Sequence, residues 1–191
     1  MLHVPILAAK ECQLFYEYWR ELKGDDPLPK RSQLKPADVK TLLPFMSVVE
    51  HIPERQSAKF RLLGTAVEER FGKNFAGQEM PIGEEFQARN AMAHMLANVF
   101  SLPCGCRVVV EEEYRTMRKG VVESINLPFA GPDGQARFAI SVAKQISEYI
   151  RDLTEERGLE GQNVFEYDYM DIGFGVPNKN DLPDSIRAVS F

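Results

Sequence analysis

Between Glu11 and Lys23 the apolar residues Phe15, Tyr18, Trp19 and Leu22 recur at helical spacing, and Gly24, Asp25, Asp26 and Pro27 stop the run, which predicts an amphipathic helix. A Pro-bracketed link, Leu28 to Ser32, leads to a short predicted helix from Pro36 to Leu43, closed by Pro44. Phe45 to Ile52 is apolar and β-branched. Ala58 to Leu63 then alternates Lys59 and Arg61 outward against Phe60 and Leu62 inward, so the two segments read as a β-hairpin. Thr65 with Glu68 three residues on has the form of a capping box and opens a short helix ending at Gly72.

A longer helix is predicted from Glu84 to Phe100. At 100° per residue Phe86, Ala93, Ala97 and Phe100 share a core stripe, while Gln87, Asn90, His94 and Asn98 gather on a wet flank. Three strands follow: Cys104 to Tyr114, Met117 to Phe129, and Gln135 to Lys144 after the turn Gly131-Pro132-Asp133-Gly134. In the last, Phe138, Ile140 and Val142 alternate with Ala139, Ser141 and Ala143, as when one sheet face lies under helices and the other has lighter cover. Beyond Ile146 the spacing turns helical through Ile150 and Leu153 to Gly158. Phe165, Tyr167 and Tyr169 then alternate with Glu166 and Asp168 like a strand, able to dock on the domain itself or on a second copy.

The expected architecture is α+β: a five-stranded antiparallel sheet with helices on one face, plus an N-terminal helix and a C-terminal extension. The expected division is 1–27 for the N-terminal helical extension, 28–146 for the domain, and 147–191 for the C-terminal helix and aromatic tail. With 44% hydrophobic and 27% charged residues over 191 positions, the composition is that of one globular domain with extensions. A formal charge of -5 argues against a nucleic-acid or anionic-membrane partner. No apolar run reaches the length of a membrane span, and Met1 to Lys10 lacks the features of a signal peptide, so cytoplasmic residence is expected. Three cysteines are too few for a disulfide framework. Cys104-Gly105-Cys106, with no nearby His or Cys to complete a zinc set, reads as two small residues entering a strand.

Local sequence adds to the element order. Trp19-Arg20, Leu28-Pro29-Lys30-Arg31-Ser32, Pro36-Ala37-Asp38, Leu42-Leu43-Pro44, Phe60-Arg61-Leu62-Leu63-Gly64-Thr65 and Phe71-Gly72 with Gly77 beyond form a set in which the Arg-Leu-Leu-Gly-Thr stretch is the most specific. Over roughly Leu14 to Ile146 the chain resembles a bacterial, alphaproteobacterial-type family of single PAS domains. The resemblance implies a sheet covered by helices around a pocket and a sensory or regulatory role exercised through protein contacts. It implies no shared cofactor and no catalytic residues.

Sharper chemistries fit poorly. Gly72-Lys73-Asn74-Phe75-Ala76 aligns superficially with the Gly-x-Asn-Cys-Arg motif of light-oxygen-voltage photoreceptors, but Phe75 stands where the reactive thiol belongs. His94, the obvious haem ligand, falls on the wet flank. Glu111, Glu112 and Glu113 read as a charged strand surface with no histidine beside them, and no nucleophile elbow or phosphate-binding glycine loop occurs. No cofactor and no metal are therefore expected, and an enzyme is the third reading.

The first reading is a PAS sensor with a pocket for a small apolar ligand, lined by Phe60, Leu62, Phe71, Phe86, Ile125, Phe138 and Ile140. Arg61 and Asn126 are its candidate polar anchors, although Arg61 reads toward solvent. The second is a structural adaptor in which the same residues fill an ordinary core. No kinase, cyclase or DNA-binding segment is recognised in the 191 residues, so the expected output is a contact with a regulatory protein or a second copy. Homodimerisation through Trp19, Phe165, Tyr167 and Tyr169 is the assembly expected.

Overall fold

The computed structural model describes residues 6–88, 90–114, 119–149, 159–178 and 188–190. Helix α1 (Lys10–Lys23) is followed by the hairpin β1 (Met46–Ile52) and β2 (Ser57–Leu63), helix α2 (Thr65–Phe71), the short strand β3 (Glu79–Pro81) and helices α3 (Glu84–Gln87) and α4 (Ala91–Ser101). Then come β4 (Gly105–Tyr114), β5 (Lys119–Ala130), β6 (Ala136–Tyr149), β7 (Leu159–Met170) and β8 (Ala188–Ser190). All pair antiparallel in one sheet, in the order β3-β2-β1-β6-β5-β4-β7-β8. The fold is the expected antiparallel α+β arrangement. It has eight strands among the described residues rather than five, because β3, β7 and β8 extend the edges.

The two sheet faces differ in side-chain size. Neighbours on a strand point to opposite faces, so Met46, Val48, Ile125, Leu127, Phe129, Ile140 and Val142 share one face, and α1 closes it with Cys12, Phe15 and Trp19. Phe15 stacks on Phe129 with ring centroids 6.5 Å apart, and the Trp19 indole N–H donates to the Pro128 carbonyl at 2.9 Å. Buried Glu123 receives the backbone N–H groups of Ala8 and Ala9 at 3.1 and 2.6 Å, and the Arg107 guanidinium donates to it at 2.7 Å. A carboxylate ahead of a helix start satisfies donors that the helix cannot satisfy itself. The opposite face carries the second core, where Val49, Phe60, Leu63 and Ala139 meet Val67 of α2 and Ala93, Leu96 and Val99 of α4.

Several expectations are corrected. The apolar side of β6 is covered by α1, and it is the small-residue side that lies beneath α2 and α4; helices therefore stand on both faces. The segment expected as one helix from Glu84 to Phe100 is two, because Asn90 leaves the helical conformation and its Oδ1 caps α4 by accepting from Ala93 N at 3.0 Å. Pro36 to Leu42 is a run of turns, and Leu43–Phe45 is a single 3-10 turn. Helix α2 starts at Thr65 with Gly64 as its N-cap, not with the capping box. A Cβ at Gly64 would lie 2.2 Å from the Leu43 carbonyl oxygen, so this close approach of two backbones requires glycine. Ile146 to Tyr149 continue β6 instead of turning helical, and the rest of that expected helix, 150–158, lies outside the described residues. Among the described residues no helix is long and apolar enough to cross a membrane.

Because Phe15 is fully buried between α1 and the sheet, Phe15→Ala is expected to lower unfolding free energy by about 3–5 kcal/mol. Urea denaturation checks this, and a loss below about 1 kcal/mol would show that α1 is not part of the core.

Candidate functional site

Between the sheet and the roof formed by α2, Phe75 and α4 lies a cavity of about 130 Å³. Its floor follows from strand register. Ser47, Ser141, Asn126, Cys106 and Tyr169 are successive cross-strand partners from β1 through β6, β5 and β4 to β7, and the next row is Ala143, Ser124, Val108 and Tyr167. Of these, Ser47, Ser141, Asn126, Ala143, Ser124, Val108 and Tyr167 line the cavity. Most are small, so the roof helices rest over a shallow floor and space remains. The walls are Phe60, Phe71 and Phe75, which meet edge to face with centroids 4.7 and 5.2 Å apart, together with Met92 and Met95.

The polar groups fall into three sets. On the floor the hydroxyls of Ser47 and Ser141 are hydrogen-bonded at 2.5 Å, and Asn126 Nδ2 donates to the Cys106 carbonyl at 3.3 Å and to Ser124 Oγ at 3.5 Å. At another end Arg70 of α2 pairs with Glu112 of β4 at 3.4 Å, Glu112 being 0% exposed. Glu112 lies six positions beyond Cys106 on β4, about 20 Å along an extended strand. The third set joins sheet to roof: Asn98 Nδ2 on α4 donates to Tyr169 Oη at 2.5 Å, and the Tyr169 and Tyr167 hydroxyls lie 3.1 Å apart. Burial pushes the Tyr167 and Tyr169 phenols upward.

A family model for the PAS domain matches residues 8–142. The chain belongs to the PAS domain family. Neither a curated protein nor a solved structure matches it. The PAS domain is a sensory and regulatory module by family, and the matched span begins ahead of α1 and takes in both sheet faces.

Of the residues expected around the pocket of this PAS domain, Phe60 and Phe71 line it. Ile125, Phe138 and Ile140 lie on the opposite face with α1, because the bulky residues of β5 and β6 have the other parity. Leu62 is 40% exposed. A bulge shifts the register so that Val48 faces Leu62 while Val49 faces Phe60, which turns Leu62 outward and Leu63 into the cavity. Phe86 is half-buried against the second core without lining the space. Asn126 reaches the cavity, whereas Arg61 is exposed and paired with Glu50.

The expected contact residues are also placed. Trp19 is 1% exposed and Tyr169 is buried, so both pack inside the PAS domain, and Tyr167 lines the cavity. Phe165 lies in β7, which pairs with β4 of the same chain. Glu112 is corrected from a surface residue to a buried one, although Glu111 and Glu113 do pair with Lys119 at 3.3 and 3.7 Å. The sequence reading missed Arg70 and the serine row. Alternation of Glu112 with its neighbours was the available signal for the former, and the parity of Ser141 and Ser124 for the latter. His94 is half-buried on α4 and does not line the cavity. Among the described residues no cluster of three metal-binding side chains occurs.

The cysteines are buried and free. Burial pushes the thiols of Cys12 and Cys104 up to about 12, and that of Cys106 upward too. The unfolded chain ionises its thiols near 9 while the folded one holds them neutral, so this contribution to stability is complete below about pH 8.5 and is lost as pH rises toward 12. The urea midpoint is expected to fall steadily above about pH 9. A midpoint unchanged to pH 11 would contradict buried neutral thiols and phenols.

Proposed function

We propose that this domain is a regulatory sensor that takes up a small molecule between the sheet and the roof of α2 and α4, and reports its occupancy by changing a contact with a partner protein. The observation that carries the reading is the cavity itself: a floor of serine, alanine and asparagine beneath phenylalanine and methionine walls. An adaptor with a filled interior has no reason to place its smallest side chains opposite its roof helices. Membership of the PAS family supports the sensory role.

A ligand can act only by binding two arrangements of the protein with different affinity. The roof is the part suited to move, since α2 has seven residues, α3 has four, and Asn90 breaks the path from α3 to α4. The hydrogen bonds from Asn98 through Tyr169 to Tyr167 tie α4 to β7, so a shift of the roof is felt at the β7–β8 edge of the sheet. That edge is where we place the effect on a partner. A second copy of the chain remains a proposed partner, but Trp19 and Tyr169 are buried within the domain and do not supply its contact.

Native mass spectrometry of the purified chain is expected to reveal a retained small molecule. Ala143→Leu, which fills the floor beside Ser124, should remove it at a folding cost of about 1–3 kcal/mol. A wild-type mass equal to the bare chain, together with a melting temperature that no small-molecule panel shifts, would count against the sensor and in favour of the adaptor.

A further inference from the structure

The sensor reading leaves the ligand unnamed, and the cavity's polar groups narrow its chemistry. Resting on that reading, we propose that the cavity selects an uncharged single-ring molecule bearing a hydroxyl, a phenol in class, with its ring among Phe60, Phe71, Phe75 and the methionines and its hydroxyl on Ser124 and Asn126.

Size sets the first limit. An apolar cavity of about 150 Å³ holds benzene, and this one is about 130 Å³. A single ring is the match in size. The three phenylalanines offer ring faces and edges, and Met92 and Met95 add polarizable sulfur, which packs well against aromatic edges.

The floor sets the second. Ser47 and Ser141 satisfy each other. Asn126 donates through Nδ2 to the Cys106 carbonyl and to Ser124 Oγ, but its Oδ1 has no hydrogen-bond partner among the described residues, and neither does the Ser124 hydroxyl proton. One acceptor and one donor thus stand side by side on β5, at alternate positions of one face. A ligand hydroxyl gives its proton to Asn126 Oδ1 and accepts one from Ser124. A hydrocarbon of the same size leaves the amide oxygen buried without a partner, which is costly.

Charge sets the third. The floor row holds no cation. The Arg70 guanidinium that lines the cavity is already held by Glu112 at 3.4 Å, and Glu112 lies about 13 to 20 Å along β4 from the Ser124 and Asn126 rows. An anion on the floor is therefore desolvated without a counter-charge, and a cation fares no better, since Glu112 is matched by Arg70.

The test titrates the full chain with p-cresol, toluene and benzoate at pH 7, followed by ligand-observed NMR. The expected result is that p-cresol binds about tenfold more tightly than toluene, as one hydrogen bond commonly confers, and that benzoate is weaker than p-cresol. Asn126→Leu, close in volume, should bring p-cresol and toluene to equal affinity, and Ser124→Ala should narrow the gap. If Asn126→Leu does not fold, the comparison on the wild type decides. Equal binding of p-cresol and toluene, or a preference for benzoate, overturns the hydroxyl-bearing class while leaving the sensor intact. No binding by any of the three, with a different molecule retained in native mass spectrometry, also overturns the class alone. No binding and no retained molecule removes both.

Discussion

A β-strand sends alternate side chains to opposite faces, so a central strand with helices on both sides must divide its bulk between two layers. In β5 and β6 that division is unequal. Ile125, Leu127, Phe129, Ile140 and Val142 all point at α1, and the positions between them, Ser124, Asn126, Ala139, Ser141 and Ala143, point at the roof of α2 and α4. Interiors pack at near-crystalline density where side chains can fill them. On the α1 side they can, and on the other side the floor is too shallow, which is why a cavity lies there.

The two layers differ in polar wiring as well as in bulk. Beneath α1, Glu123 holds the helix start and Arg107, while Arg107 also reaches Glu166 and Asp168 of β7, so β4, β5, β7 and α1 are locked through one buried ion pair. Such a pair is costly to break by removing one member. The roof is tied down by the Arg70–Glu112 ion pair under α2 and the Asn98–Tyr169 hydrogen bond under α4, and it is divided into three short helices with a break at Asn90. One face thus carries a single continuous helix and the other a roof in separate pieces, the arrangement a ligand needs if its binding is to move something.

Much of this was legible in the chain. Helix α1, the β1–β2 hairpin and the three long strands follow from spacing and turn residues, and the Arg-Leu-Leu-Gly-Thr stretch carries the family resemblance. The face that holds the cavity was not. Sequence reasoning gives the bulkiest strand residues to the pocket, whereas Phe138 and Ile140 were already claimed by an N-terminal helix that reads as an appendage. Leu62 was misplaced because a one-residue bulge leaves no mark in an alternating pattern. The long helix was overextended because Asn90 fits a wet flank as well as it fits a cap. Glu112 was hidden because its partner, Arg70, is distant in sequence. Asn126, named only as an anchor, proved to be central to the floor.

The void opposite α1 is open to direct measurement. Xenon enters cavities of this size and scatters strongly. In a xenon-pressurised crystal of protein refolded free of small molecules, the account predicts a xenon peak between Val49, Phe60 and Leu96, beneath α2 and α4. A crystal with xenon only on the α1 side of the sheet, or with none, would contradict it.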